Sequence, residues 1–173
     1  MAINYCTNPS VETDLTGYST SGSATNTRPS GDTKATGLYC LQCAADAGFG
    51  WGFFGSFGIP GLQQYTFSFD CWLTSGGDDW VMSLTGFDNA DGFVENITIG
   101  STFTATAAKQ RVSITGTPAN ASTTKLRLDV YRGAAAAGTL RADAFRIAPG
   151  TDATYPLDGT TRRIRQQFQL RPY

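Results

Sequence analysis

Any catalytic chemistry in this 173-residue chain would rest on carboxylates, thiols or tyrosines, because the sequence contains no histidine. The adjacent acids Asp78 and Asp79 lie in a glycine-rich turn, where carboxylates are normally solvated. A glycosidase needs two carboxylates that face each other across a groove, and the sequence does not place such a pair. A glycine-rich phosphate loop ending in Lys-Ser or Lys-Thr is also missing from the sequence. We therefore predict that the protein is not an enzyme.

Metal-binding motifs are weak. The stretch CLQC pairs Cys40 with Cys43, but a structural zinc site needs further Cys or His ligands at a similar spacing. In a strand, residues three apart point to opposite faces, which is poor geometry for sharing a metal. We predict that all four cysteines, including Cys6 and Cys71, are reduced and act as small apolar side chains, with disulfides or zinc as alternatives. The stretch GFDNADG has the composition of a calcium loop but lacks the Glu and the flanking helices of a helix-loop-helix site.

A hydrophobic alternation with a period of two runs through most of the chain, and a helical period is nearly absent. In YTFSFDCWL, one face carries Tyr65, Phe67, Phe69, Cys71 and Leu73, and the other carries Thr66, Ser68, Asp70 and Trp72. Further alternating runs are WVMSL, RVSIT, KLRLDVY and FRI, each bounded by turn residues. Short alternating strands at this spacing predict an all-β antiparallel β-sandwich of the jelly-roll type.

The polar faces of these strands supply a candidate sugar site. Sugar-binding sandwiches use aromatic rings as stacking platforms beside a few polar groups. We predict that Trp72 and Asp70 face outward and bind glycan together with residues on a neighbouring strand, namely Arg127, Asp129 and Tyr131. The alternative is that a loop or another subunit covers this face.

The segment GFGWGFFGSFG (residues 48–58) does not fit the alternating pattern, because half of it is glycine and half is aromatic or serine. We predict a loop or irregular strand folded over the open end of the sandwich. The alternative is a loop that contacts a ligand or another subunit.

The C-terminal end is basic whereas the rest of the chain is acidic. Residues 160–173 carry four Arg and no acid, and residues 1–159 carry nine basic and fourteen acidic residues, a balance of −5. We predict a domain at 1–151 and an assembly arm at 152–173, with a disordered end as the alternative. The predicted contact residues of the arm are Arg162, Arg163, Ile164, Arg165, Phe168 and Leu170.

Nucleic acid and membrane are not expected partners. One short basic arm is a small electrostatic footprint for nucleic acid. The longest apolar runs are far shorter than a membrane span, and MAINYCTNPS lacks the regions of a signal peptide.

The order of several stretches resembles the carbohydrate-binding-module-like jelly rolls over about residues 3–151. These stretches are TNPSVETDLTGY, GLYCLQC, IPGLQQYTFSFDCWLTSG, QRVSITGTPANASTTKLRLDVYRG and LRADAFRIAPGT. With GTDATYPLDGTT (150–161), the chain more closely resembles the form of this domain in minor tail and other virion proteins of tailed phages infecting actinobacteria. It departs from that pattern at Gln110, where such domains often carry a Trp.

This resemblance implies a non-enzymatic structural component of a tailed-phage virion, a minor tail or adhesion protein that contacts host cell-surface polysaccharide. A homo-oligomer and other virion proteins are then the expected partners, and the virion is the expected location. The alternatives are a capsid decoration or head protein and a free carbohydrate-binding module.

The resemblance also implies a role for Glu12 and Asp143, which match an acidic pair that often surrounds a structural calcium in such domains. Two carboxylates with backbone carbonyls would supply the oxygen ligands that calcium requires. The alternative is that Glu12 accepts hydrogen bonds from backbone amides and holds the first loop against the last strand. Apart from this calcium, no cofactor is expected.

Overall fold

The structure, a computed structural model, describes residues 4–6, 8–46, 50–54, 59–133 and 137–151, with the backbone alone at 51–54. Its strands are β1 (Tyr18–Thr20), β2 (Thr25–Thr27), β3 (Leu41–Ala45), β4 (Gly50–Phe54), β5 (Tyr65–Gly76), β6 (Asp79–Phe87), β7 (Phe93–Thr104), β8 (Gln110–Gly116), β9 (Lys125–Arg132) and β10 (Gly138–Pro149). None of the described residues is helical, and accordingly none forms an apolar helix of membrane-spanning length. The predicted all-β fold is confirmed.

The strands form two five-stranded antiparallel sheets. The first sheet has the order β1-β4-β9-β6-β7, and the second has the order β2-β3-β10-β5-β8. Every second side chain along the strands points into the space between the two sheets, and these side chains form the hydrophobic core, as the period-two pattern predicted. Phe69 of β5 stacks on Phe145 of β10 with ring centroids 5.5 Å apart. Both side chains are fully buried, so the predicted inward face of β5 is confirmed.

Part of the glycine- and aromatic-rich segment is a regular strand. Residues Gly50–Phe54 form β4, which pairs with both β1 and β9. A Cβ atom at Gly50 would lie 1.8 Å from the carbonyl oxygen of Val130, so glycine is what permits this close approach to β9. For these five residues the predicted loop is wrong and the predicted strand is correct, but the strand is paired on both sides within the first sheet and is not folded over an open end. Residues 48–49 and 55–58 lie outside the described residues.

A β-bulge in β10 decides which of its side chains enter the core. Asp143 pairs with Asp70 and Arg146 pairs with Ser68, so β10 has one more residue than β5 between these pairs. Ala144 takes up the extra residue with a φ of 53°. As a result, Phe145 enters the core, whereas Asp143 and Arg146 lie on the outer face of the second sheet.

The opening stretch lies against the second half of β10. The Tyr5 amide donates to the Ile147 carbonyl at 2.9 Å, and the Phe145 amide donates to the Pro9 carbonyl at 2.8 Å. This attachment places Glu12 at the end of the sandwich beside the bulge. The first assigned strand begins later, at Tyr18.

All four cysteines belong to the described residues; none of them forms a disulfide and all are buried, as predicted. Burial raises the pKa of Cys40 to about 11 and the pKa values of Cys43 and Cys71 to about 12. These thiols stay protonated at neutral pH and act as small apolar side chains.

Candidate functional site

The outer face of the second sheet, where Trp72 was predicted to bind glycan, is closed. The Trp72 indole Nε1 donates to Asp32 Oδ2 at 2.9 Å, and Arg141 Nη1 binds the same oxygen at 2.6 Å. Asp32 belongs to residues 29–39, the covering segment, whose Lys34 Nζ also donates to the Ala107 carbonyl at 2.8 Å. Trp72 is 0% exposed, so its predicted exposure to a ligand is wrong and the covered-face alternative is correct.

Asp70, on the same face, is enclosed by two cationic side chains. Its Oδ1 accepts from Arg111 Nη1 at 2.9 Å, and its Oδ2 lies 2.9 Å from Lys109 Nζ. The residue is 1% exposed. Asp70 therefore forms a buried ion cluster with its two cationic neighbours and is not accessible to a ligand. The predicted role of Asp70 in glycan binding is also wrong.

Glu12 and Asp143 both bind the covering segment. Glu12 Oε1 accepts from the Tyr39 amide at 3.0 Å, and Asp143 Oδ2 accepts from the Thr36 amide at 2.5 Å. A Cβ atom at Gly37 would lie 2.2 Å from Glu12 Oε1, so the segment fits closely around this carboxylate. The Glu12 bond to a backbone amide is of the kind that the non-metal alternative predicted, but it joins the first loop to the covering segment and not to the last strand.

One carboxylate oxygen of this cluster is left without a hydrogen bond. Asp143 Oδ1 is buried and has no hydrogen-bond partner, and burial raises the pKa of this carboxyl against the lowering effect of the Thr36 and Ala144 amides. The described residues contain no group of three or more His, Cys, Asp or Glu that could hold a metal. A calcium ion here would therefore depend on Asp143, Glu12 and backbone carbonyls.

The remaining predicted glycan residues lie on the other sheet. Arg127, Asp129 and Tyr131 alternate along β9 of the first sheet, and all three are partly exposed on its outer face. The prediction that β5 and β9 are neighbours is wrong, because β5 belongs to the second sheet. The five predicted residues therefore do not form one site, but these three share an open face.

Strand β6, which lies between β9 and the edge strand β7, forms the floor of this open face. The backbone register sets Val81, Ser83 and Thr85 beside Tyr131, Asp129 and Arg127, respectively. The outward side chains of β6 are only 6–8% exposed, namely Val81, Ser83, Thr85 and Phe87. We call this floor, with the flanking side chains of β7 and β9, the outer groove.

A cavity of about 530 Å³ lies at one end of the outer groove. Its lining residues are Asp79, Trp80, Val81, Thr102, Phe103, Thr104 and Gly133. Further along, Gly50 and Gly52 of β4 pair with Tyr131 and Asp129 and add no side chain above them. The groove is thus bounded by small residues on one side.

Arg127 and Asp129 form the charged part of the outer groove. Arg127 Nε lies 2.9 Å from the Asp129 carboxylate, and Thr85 Oγ1 donates to Asp129 Oδ2 at 3.3 Å. Burial raises the pKa of Asp129, although the adjacent Arg127 opposes this effect. The Arg127 guanidinium also lies 4.5 Å from the centre of the Phe87 ring. Both charged groups are therefore held in place with polar atoms facing the groove.

Phe93 is the residue that sequence reasoning missed. It is 60% exposed, and it meets Phe87 edge to face with ring centroids 6.0 Å apart. A single aromatic residue after the DNADG turn belongs to no alternating run, so periodicity gave no signal. The groove thus combines a solvent-facing ring with a fixed Arg–Asp pair and hydroxyl groups.

The predicted assembly residues Arg162, Arg163, Ile164, Arg165, Phe168 and Leu170 lie outside the described residues, as does the whole of 152–173.

No protein-family profile and no curated protein matches this sequence. Solved structures do share its fold. The CBM22-1 xylan-binding domain of Xyn10C from Paenibacillus barcinonensis is 14% identical, with a TM-score of 0.55, and the match covers 88% of this chain and 95% of that domain. The CBM22-1–GH10 modules of Clostridium thermocellum Xyn10B, complexed with xylohexaose, give 14% identity and a TM-score of 0.67 over 91% of this chain and 30% of that one.

A phage protein has the same architecture. The enzymatically active domain of tailspike protein 4 from bacteriophage CBA120 is 12% identical, with a TM-score of 0.64, over 86% of this chain and 22% of that one. At these identities the likeness concerns the fold alone. The fold is therefore that of a carbohydrate-binding-module-like jelly roll.

Proposed function

We propose that this chain is a glycan-binding protein whose ligand lies in the outer groove of the first sheet. The observation that carries the proposal is the exposed Phe93 ring on the outer face of the first sheet, which also carries the fixed Arg127–Asp129 pair. The fold shared with the xylan-binding domain supports it.

The chemistry of the groove suits a sugar ring. The faces of a sugar present C–H groups, which pack on Phe93 or Tyr131, and its edges present hydroxyls. Asp129 accepts hydrogen bonds from such hydroxyls, and Arg127 donates to them. Because Arg127 and Asp129 already hold each other, little side-chain entropy is lost when a ligand binds.

Binding to an array of plant and bacterial polysaccharides, with xylohexaose as a defined oligosaccharide, tests this proposal. The wild-type protein is expected to retain at least one glycan, and Phe93→Ala and Tyr131→Ala are expected to weaken that binding. Leu38→Ala is the matched control, because Leu38 is 57% exposed but lies on the covering segment of the other sheet. Retention of no glycan, or equal loss in the control, would contradict the proposal.

We further propose that the protein binds glycans as part of a tailed-phage virion, in a minor tail or adhesion role. The tailspike domain supports this, because it shows that phage proteins use this fold. A virion component should self-associate, whereas a free binding module should be monomeric, so light scattering after size exclusion separates the two. Tail or capsid genes beside its own gene would support the virion role, and a gene cluster for sugar-degrading enzymes would oppose it.

Binding without catalysis is part of the same proposal. Asp70 is buried and ion-paired with Arg111, and Asp143 is buried beneath the covering segment. Asp129 in the groove is held by Arg127. Prolonged incubation with the bound glycan should leave its chain length unchanged. The appearance of shorter products would overturn this part.

We also propose that Glu12 and Asp143 hold one structural calcium. The buried Asp143 Oδ1, which has no hydrogen-bond partner, is the support for it.

A further inference from the structure

A buried lysine lies at the end of the outer groove. Lys125 is 3% exposed although it carries an ammonium group. Its Nζ donates to the Asn89 carbonyl at 3.0 Å and to Asp91 Oδ1 at 2.7 Å. The buried charge is thus compensated by the turn that joins β6 to β7 (residues 88–92).

The turn also has hydrogen bonds of its own: the Asp88 amide donates to the Gly92 carbonyl at 2.9 Å, and the Asp91 amide donates to the Asp88 carbonyl at 3.2 Å. Asp88 Oδ1 accepts from the Ala90 and Gly92 amides, each at 2.8 Å, which orders the first half. Asp91 has a φ of 64°, a left-handed conformation that is uncommon for a residue with a side chain. The bonds from Lys125 to the Asn89 carbonyl and to Asp91 add to these contacts and tie the turn to β9.

The turn leads directly into Phe93. Across the sheet, Phe87 of β6 pairs with Lys125 of β9 on one side and with Phe93 of β7 on the other. The three side chains thus form a row across the first sheet, with Phe87 between the lysine and the exposed ring.

We propose that Lys125 is a positioning residue for glycan binding: its ammonium fixes the 88–92 turn and thereby holds the Phe93 ring against Phe87 at the edge of the outer groove. Lys125 itself is too buried to touch a sugar. This inference rests on the proposed glycan site, because it assigns Phe93 as the stacking platform. It predicts that affinity depends on a residue that makes no contact with the ligand.

A double-mutant cycle on the polysaccharide array tests the inference. Lys125→Met keeps most of the apolar stem and removes the charge, and it should weaken binding about fivefold to tenfold. Phe93→Ala should weaken binding at least as much. The double variant should be no weaker than Phe93→Ala alone, because the turn has nothing left to position.

Two further measurements guard against simple unfolding. Asp91→Asn changes a side chain that is 61% exposed, so the fold should persist while the contact to Lys125 weakens and affinity falls in the same direction. Amide hydrogen exchange at Ala90 and Gly92 should accelerate in both variants and stay unchanged in β10. Lys34→Met is the matched control, because Lys34 also donates to a backbone carbonyl, but on the other sheet.

The outcomes separate the inference from the proposed function. Wild-type affinity in Lys125→Met and Asp91→Asn, together with weak binding by Phe93→Ala, would overturn the role of Lys125 and leave the glycan site intact. Unchanged binding by Phe93→Ala would overturn both. Additive losses in the double variant would also refute the positioning role.

Discussion

Replacing Trp72 should damage the fold and leave the glycan site in place. The side chain is 0% exposed, and its indole N–H binds Asp32 at 2.9 Å. Truncating a buried tryptophan to alanine costs about 3–5 kcal/mol in the free energy of unfolding. The lost hydrogen bond places Trp72→Ala near the upper end of this range, although Asp32 keeps its bond to Arg141.

Thermal and urea unfolding would measure this cost. For a domain of this size, 1 kcal/mol lowers the Tm by about 2–4 °C, so Trp72→Ala should lower the Tm by about 6–20 °C. Trp72→Phe keeps most of the buried ring and removes the N–H donor, so it should cost about 1–2 kcal/mol. Wherever either variant is still folded, it should bind glycan like the wild-type protein.

Tyr131→Ala is the matched comparison for this prediction. The residue is partly exposed on the first sheet, so its loss should change stability little and binding strongly. If Trp72→Ala instead melted like the wild-type protein and lost binding, Trp72 would contact the ligand. The assignment of the second sheet's outer face as closed would then be wrong.

Three further predictions concern the loops and the arm. Glu95 is partly desolvated, but bonds from Thr123 and the 119–120 amides lower its pKa below the unfolded value. Its stabilisation is therefore present above about pH 4.3, the unfolded pKa, and is lost as pH falls through the folded pKa. Glu95→Gln should be less stable than wild type at neutral pH, and the two free energies of unfolding should converge once the pH is below the folded pKa. Glu12→Ala and Asp143→Ala should each cost about 1–3 kcal/mol, and with calcium bound a chelator should lower the Tm of the wild-type protein but not of the double variant; unchanged melts in both single variants would remove their role. Deleting residues 160–173 should leave a folded sandwich that no longer self-associates, whereas normal assembly would show that the arm is not the interface.

The strands and their inward faces followed from the sequence because both depend on local alternation. Phe67 and Phe69 of β5, like Leu126 and Leu128 of β9, are buried at the predicted positions. The prediction needed only that one face of each strand meets a core. Where the chain lacks this pattern, as in β4, the sequence left open whether the segment forms a loop or an irregular strand.

The proposed glycan site was only partly predictable, because it depends on which strands become neighbours. Strand parity set Trp72 opposite to the core-facing residues, but it could not show that Asp32, forty residues earlier in the chain, would cover it. Likewise, nothing local indicated that β9 would pair with β6 and not with β5. The outward positions of Arg127, Asp129 and Tyr131 were predicted because their own strand alternates, and the exposed Phe93 was missed because it follows a turn.

The central claim is that glycan binds the outer groove of the first sheet, and NMR chemical-shift mapping tests it most directly. Backbone amide signals would be followed while the array glycan that binds most tightly is titrated into the wild-type protein. The largest shifts should fall on Phe93, Arg127, Asp129 and Tyr131, with the covering segment unaffected. Shifts concentrated in residues 29–39 and around Trp72 would place the ligand on the second sheet and contradict the claim.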